Sequence, residues 1–301
     1  MQLSKESLNI DAAKVAGEIS YFIEEKLVEF NRKGIVVPIS GGLDSSVVAG
    51  LCVNAVGNKK VIGLMLPEKQ GNPEAEKYSN ELAASLKIKT KKIDISKALD
   101  VFGTYDFALS KIPTRSLKQI AVKSFLNLSK TNPFLKGIRG QGSRVVHEGM
   151  ANFYVKNRVR FVFSCKFAEE NNLLLAGSAH KSEDLVGLFA KFGVDDLADI
   201  MPLKNLYRTQ ILQIGKYLNI PESIIKRTPN PDIIPGVKDK YKDILGIDSE
   251  NLDLVLWGLE NNMPAREIAR QLNLNERKIN EVSDLINSTA HMRNHSLSPI
   301  F

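Results

Sequence analysis

Residues 36–51 read VVPISGGLDSSVVAGL. The stretch opens β-branched and apolar, breaks at Ser40-Gly41-Gly42, and resumes with Val47, Val48 and Leu51 at helical spacing. That order predicts a buried strand, a tight turn and a helix. Gly41 and Gly42 let the backbone turn sharply with its N–H groups exposed. Ser40, Ser45 and Ser46 add hydroxyl donors, and the helix that follows points its positive end at the turn. Together these features predict a cradle for phosphate. It is not the G-x-x-x-x-G-K-[ST] loop, because that lysine and spacing are absent. Asp44 inside such a cradle would repel phosphate unless a divalent cation lay between them, which makes Asp44 a candidate magnesium ligand. The plainer alternative is a polar turn capped by Asp44 or Ser45.

Working outward, Ile10 to Asn31 has the spacing of an amphipathic helix, and GIVVPIS follows as the first strand. KKVIGLMLPE, KTKKIDIS and LLLAGSAH read as further strands. Between them lie helices: SSVVAGLCVNAV, NPEAEKYSNELAASLK with a start signal at Asn72-Pro73, and GMANFYVKNRVRFVFSCKFAEEN. YRTQILQIGKYLNIP is a helix that Pro221 closes, while the pattern blurs from about Asp100 to Val145. Strands alternating with helices predict an α/β fold, a doubly wound parallel sheet with helices on both faces. Ligands of such sheets bind beyond the carboxyl ends of the strands, where the topology switches direction. Two strand ends carry loop chemistry, PISGGLDSS and AGSAHKSED.

The 301 residues can bury a sizeable core as one large domain or a domain with an extension. No run approaches eighteen apolar residues, so no transmembrane helix is expected. MQLSKESLNIDAAK lacks the basic-then-apolar order of a signal peptide, and a cytoplasmic protein is expected. Cys52 and Cys165 sit in apolar contexts and read as small core residues in a reducing compartment. The four histidines show no zinc-ligand spacing with cysteine. The net charge of +7 is uneven: Phe107 to His147 holds no acid but carries Lys111, Arg115, Lys118, Lys123, Lys130, Lys136, Arg139 and Arg144. Such a segment is either a site for an anionic partner or a solvated basic loop.

The SGG-x-DS loop resembles that of the pyrophosphate-loop ATP pyrophosphatases, which hold the pyrophosphate part of ATP there. The rest of the chain most resembles the NAD synthetase family, over nearly its whole length. YVKNRVRF at 154–161 is similar to the family's N-V-x-A-R-x-R-M helix. GSAHKSEDLVGLFAKFGVDDLADIMPL at 177–203 resembles its G-T-x-x-x-x-E signature and the segment that follows. AHMRNHSLSPIF resembles its His-Lys-Arg ending. The resemblance implies an adenine nucleotide alpha-hydrolase-like fold. It also implies ammonia-dependent, ATP- and magnesium-driven conversion of the nicotinate carboxylate of deamido-NAD to the amide of NAD.

Site roles follow from the same resemblance. Asp44 and Glu183 would hold magnesium. Ser40, Gly41, Gly42, Asp44, Ser45, Ser46, Ser178, Arg208 and Asn230 would bind ATP. Arg158, Lys191, Asp199 and His291 would bind the acceptor, and Asp44, Lys191 and His291 would serve catalysis. Several positions depart from the family pattern. Ser178 replaces a Thr, Arg208 a Lys and Asn230 a Thr or Ser; VKDKYKD at 237–243 replaces an acidic stretch and keeps the matching charge only at Asp239. Met292 replaces the lysine of the His-Lys pair, so a cation is missing that Arg293 or His295 is expected to supply, and a lysine restored at 292 is expected to raise activity. The ATP half of the site therefore reads as intact and the acceptor half as altered.

MPAREIARQLNLNERKINEVSDLI resembles a helix-turn-helix, but a helical lid over a nucleotide site has the same pattern. The expected organisation is a single domain over 1–301. An α/β core fills 1–225 with a basic insert at about 103–149, and a C-terminal loop and helices form a lid over 226–301. The leading expectation is an ammonia-dependent ligase, homodimeric in part through its N-terminal helix, fed by free ammonia or by a separate glutaminase. The alternatives are an amide ligase for another carboxylate, an RNA-modifying relative and a nucleotide-binding module without catalysis. The 107–147 segment is expected to meet the anionic acceptor or a dimer partner rather than nucleic acid.

Overall fold

The computed structural model describes residues 2–107, 133–230 and 237–294, with isolated positions between 108 and 132. About half of the basic 107–147 segment, including Lys111, Arg115, Lys118, Lys123 and Lys130, lies outside the described residues, as does His295.

The first helix, α1, spans Ala12–Glu29 and is capped by Asp11, whose carboxylate accepts from the Lys14 N–H. Strand β1 (Gly34–Pro38) leads into α2 (Leu43–Val56). Strand β2 (Val61–Met65) is followed by α3 (Pro73–Leu86), which starts with Asn72 as cap and Pro73 in the first turn. Strand β3 (Lys89–Lys92), the short α4 (Ser96–Val101) and α5 (Pro133–Ile138) come next. The long α6 (Arg144–Asn171) begins five residues before the Gly149 that the periodicity suggested. Strand β4 (Leu173–Leu175) then runs into α7 (Lys181–Val186). After α8 (Val194–Leu197) come α9 (Arg208–Tyr217), α10 (Glu222–Ile225), a π-helical turn (Lys240–Leu245), and three helices, α11 (Ser249–Glu260), α12 (Ala265–Leu272) and α13 (Glu276–Ser288).

The four strands form one parallel sheet in the order β3-β2-β1-β4. Side chains alternate across it, as a pleated strand requires. Ile35 and Val37 join the core under α1, α2 and α9, whereas Val36 joins the core under α4 and α6 with Val159 and Ala168. The sheet is thus covered on both faces. Helix α2 is buried on all sides through Cys52, which explains why its residues are apolar without a polar stripe. The outer strand β3 reads KTKK and is exposed at every position, a lysine-rich edge that resists further strand pairing.

A separate core joins the two ends of the chain. Leu3 and Leu8 pack with Leu252, Val255, Ile268, Ile279 and Val282 of the last three helices. The helix-turn-helix-like pair α12–α13 buries its apolar face there, turning at Asn273 in the left-handed conformation. This helical unit is tied to the sheet domain by Asp253, fully buried on α11. Its carboxylate accepts from Ser182 Oγ (2.5 Å), and from the N–H (2.8 Å) and Oγ1 (2.7 Å) of Thr209 at the start of α9. Burial outweighs these donors and raises the carboxyl to about 6. A carboxyl raised on folding favours the folded state while protonated, so its contribution is full below about 3.8 and is lost as pH rises through about 6. We predict that Asp253→Asn removes a component of roughly 3 kcal/mol from the pH dependence of unfolding across that window. Parallel pH profiles of wild type and variant in denaturant melts would contradict it.

Candidate active site

The strand order places a topological switch at β1. Beta-2 lies on one side of it and β4 on the other, so the loops after β1 and β4 meet at the carboxyl ends of adjacent strands. A cavity of about 570 Å³ opens there, lined by Ser40, Gly42, Asp44 and Ser45 from one loop and by Ser178 and Glu183 from the other.

The first loop is fixed by its own short hydrogen bonds. The N–H of Ser40 donates to Ser45 Oγ (3.2 Å), and Ser46 Oγ donates to the Gly42 carbonyl (2.7 Å). Gly41 has φ +72°, and a Cβ there would lie 2.6 Å from the Ala75 carbonyl, so this position demands glycine. Gly42 caps α2, whose first-turn N–H groups lack intrahelical acceptors and face the loop. Gly41 and Ser46 do not line the cavity; one makes the turn and the other closes it from behind. Arg227 braces the turn from the far side of the cavity, donating to the Gly41 carbonyl (3.0 Å) while its guanidinium lies over the Tyr78 ring.

Four charged groups that line the cavity, Asp44, Glu183, Arg208 and Lys240, meet one another and a buried imidazole. Arg208 Nη1 donates to Asp44 Oδ1 at 2.8 Å. Lys240 is ion-paired with Glu183 and lies 3.9 Å from Asp44 Oδ2. His180, fully buried, has Nε2 3.5 Å from Glu183 Oε2 and 3.9 Å from Asp44 Oδ2. Burial pushes the imidazole down to about 3, so it is neutral at neutral pH. Burial also disfavours the Asp44 carboxylate, but the surrounding positive charge, the Arg208 guanidinium first, outweighs it and holds the carboxyl at about 2. Asp44, His180 and Glu183 each offer a ligand atom within 4.8 Å of the others. Two converging carboxylates are the oxygen donors a hard divalent cation takes, so these residues fit magnesium.

Further along the cavity, Ser178 Oγ donates to Asp195 Oδ1 (3.2 Å), a carboxyl whose pKa burial raises. Asn230 lines the wall, with its N–H on the Thr228 carbonyl. At the end of β2, Glu68 is buried against Lys156 (2.7 Å) and accepts from Tyr105 Oη (2.9 Å). The Lys156 ammonium overcomes the burial penalty and keeps the Glu68 carboxyl below its ordinary range. Of the arginine pair on α6, Arg160 lines the cavity and Arg158 does not.

Arg158 belongs to a second cluster. Its Nε donates to the Lys191 carbonyl (3.1 Å), and Lys191 Nζ donates to the His291 carbonyl (2.8 Å). Three of the four residues expected at the acceptor are therefore together, outside the cavity lining. Asp199 stands apart from both groups: it is exposed, and its carboxylate accepts from the Leu175 N–H at the end of β4 (2.8 Å).

Two expectations about the tail need correction. Arg293 does not replace a missing lysine; its guanidinium donates to the carbonyls of Leu185 (3.0 Å) and Ile286 (2.8 Å) and to Thr289 Oγ1 (2.9 Å), joining α7 to α13. Met292 is a core residue, 3% exposed, packed with Ile138 and Phe189. The cations the sequence reading missed are Lys240 and Arg227. Lys240 lay in plain view in VKDKYKD but reads there only as a lost acid. Nothing local marks either residue, since each reaches its partner across more than fifty positions.

The sheet order, the switch-point cavity and the serine-glycine loop define an adenine nucleotide alpha-hydrolase-like α/β protein. The family model for NAD synthase matches residues 15–120 and 128–296. The chain is 39% identical over 261 residues to the NH3-dependent NAD+ synthetase of Coprothermobacter proteolyticus, covering 83% of this chain and 86% of that one. It is 35% identical over 280 residues to the enzyme of that name from Methanocaldococcus jannaschii, covering 93% and 94%. Its fold is similar to the NH3-dependent NAD synthetase of Campylobacter jejuni (TM-score 0.67, 23% identity, 97% and 100% covered). It is similar also to the NMN synthetase of Francisella tularensis (TM-score 0.71, 22% identity, 97% and 100% covered). The chain belongs to the NAD synthase family.

The packing of Met292 reverses the effect expected of a lysine at that position. We predict that Met292→Lys destabilises the protein by about 2–4 kcal/mol, because an ammonium would enter an apolar cluster without a partner. Equal denaturant midpoints for variant and wild type would show that the side chain escapes the cluster.

Proposed function

We propose that this chain is an ammonia-dependent NAD synthetase, a carbon–nitrogen ligase that uses ATP. The observation that carries the reading is the convergence of the serine-glycine loop, Asp44, Glu183 and Arg208 on one cavity in a chain of this family. In this reading the nicotinate carboxylate of deamido-NAD attacks the α-phosphorus of ATP and pyrophosphate leaves. Ammonia then attacks the acyl carbon, loses a proton, and AMP departs with its bonding electrons. The overall change turns deamido-NAD, ATP and ammonia into NAD, AMP and pyrophosphate.

The chain's own groups mainly position reactants and offset charge. Ser40, Ser45 and the first-turn N–H groups of α2 would hold the leaving pyrophosphate, with Gly41 and Gly42 allowing the close approach. Arg208, Lys240 and Arg227 bring positive charge to the same wall. Asp44 and Glu183 would hold magnesium, which when bound supplies charge neutralisation and polarises phosphoryl oxygens. Ser178 and Asn230 would contact the nucleotide. Arg158, Lys191 and His291 form the group suited to the acceptor's anionic part. Asp199, tied to the sheet edge, is better read as fixing β4 than as touching substrate. Neutral His180, wedged between the two carboxylates, is a further candidate ligand or spacer.

The organisation that supports this reading is a single NAD synthase-like domain. Its C-terminal unit shares a core with Leu3 and Leu8 and supplies Lys240 to the cavity. Ammonia would arrive free or from a separate glutaminase. A cytoplasmic setting fits; among the described residues no helix is long and apolar enough to cross a membrane. Exposed Tyr21 and Val28 on α1, with Phe30 just beyond it, support a homodimer built in part on that helix. A monomeric sedimentation coefficient for the wild type would remove that part of the reading.

We predict that Asp44→Asn and Glu183→Gln each cut pyrophosphate release by about a hundred-fold or more while leaving the far-ultraviolet circular dichroism unchanged. The assay contains ATP, magnesium and ammonia, with deamido-NAD set beside a panel of other carboxylates. Full turnover in either variant would remove that residue from the metal site. Release of pyrophosphate with another carboxylate but not with deamido-NAD would replace the acceptor.

A further inference from the structure

Lys240 is built into the site rather than draped over it. Asp239 caps the π-helical turn, accepting from the N–H groups of Tyr241 (2.9 Å) and Lys242 (3.1 Å). The Lys240 N–H donates to the Pro229 carbonyl (2.9 Å), and the next side chain, Tyr241, is fully buried in the C-terminal core. These contacts deliver an ammonium that is only 14% exposed to Glu183, with Asp44 at 3.9 Å. With Arg208 on Asp44, two carboxylates and two cations already balance.

A lysine ammonium and a divalent cation ask the same thing of Asp44 and Glu183, negative oxygens at short range. They cannot both be satisfied there, because a dication beside a partly buried ammonium meets strong like-charge repulsion. Triphosphate changes the balance. It brings negative charge into the cavity that Lys240 also lines, and so gives the ammonium another anion to face.

We propose that Lys240 is a positioning residue that competes with the divalent cation for Asp44 and Glu183, so that the metal enters this site together with ATP and not ahead of it. The inference rests on the reading of those two carboxylates as metal ligands. Before nucleotide arrives, the ammonium suppresses the repulsion between the carboxylates and holds both oriented toward the cavity.

The test uses manganese as probe, with the free aquo ion followed by electron paramagnetic resonance. The full chain is titrated with and without α,β-methylene ATP, which cannot be cleaved at the reacting bond. Wild type should bind manganese weakly alone and far more tightly with the analogue. Lys240→Met should bind manganese about ten-fold more tightly than wild type when nucleotide is absent, and the gap should narrow when it is present. Lys240→Arg, which keeps the charge, and Lys242→Met, on the exposed side of the same turn, should match wild type. Lys240→Gln serves the same comparison if the methionine variant does not fold. Equal affinity of wild type and the neutral variants without nucleotide would overturn the competition and leave the metal reading standing. Failure of every form to bind manganese even with the analogue would remove the metal reading, and this inference with it.

Discussion

Two carboxylates, Asp44 and Glu183, are held together at the bottom of a partly buried cavity, and the surroundings answer their mutual repulsion. Desolvation alone would drive such a pair toward protonation. Instead the carboxyl of Asp44 is held at about 2, with Arg208 on one oxygen and Lys240 near the other. A site that keeps ionised oxygens at neutral pH in low dielectric has positive charge designed into its wall. The same wall suits the phosphates of a nucleotide, so carboxylates for a metal and cations for phosphate can share one small volume.

The fold makes that sharing possible. Asp44 follows β1 and Glu183 follows β4, and these strands become neighbours because a long excursion through β2, β3 and α6 returns to the side of β1 opposite β2. 

Ile35 and Leu174, with 138 residues between them, lie side by side in parallel register. Each following loop then leaves its strand in the same direction, and the two helix starts, at Leu43 and Lys181, face a common space. Asp44 and Glu183 both sit in the first turn of their helices, where the helix dipole favours a negative charge. The fold thus contributes to the charge balance before any cation side chain is counted.

What was legible in the sequence was local or periodic. The strand, turn and helix at 36–51 follow from residues that touch one another, and the four strands and their parallel arrangement follow from alternating apolar runs. Glu183 came from the resemblance of GSAHKSED to a family signature, and the fold sets its carboxylate within 4.8 Å of Asp44. The misses have one physical origin. Lys240, Arg227 and His180 act through tertiary placement, and the linear pattern around Lys240 registers only a change of sign from acid to base. Met292 was misread for the same reason: a position that carries charge in related sequences was taken to face the site, whereas here the side chain closes an apolar cluster. Arg293 looks free in sequence, yet its five donors are the natural means of satisfying carbonyls where α7 and α13 end together.

The C-terminal helices belong to the same balance. Asp253 on α11 binds Ser182 and Thr209, and Ser182 Oγ in turn accepts the Arg208 N–H (3.0 Å). Arg208 is therefore fixed at its backbone by Ser182 of α7, itself held by Asp253, and at its guanidinium by Asp44. Lys240 comes from the helical unit itself, anchored through Tyr241 in the core it shares with α11. Lys240 thus depends directly on how the C-terminal helices dock, and Arg208 only through the Ser182–Asp253 contact. The segment expected as a lid brings Lys240 to the cavity wall.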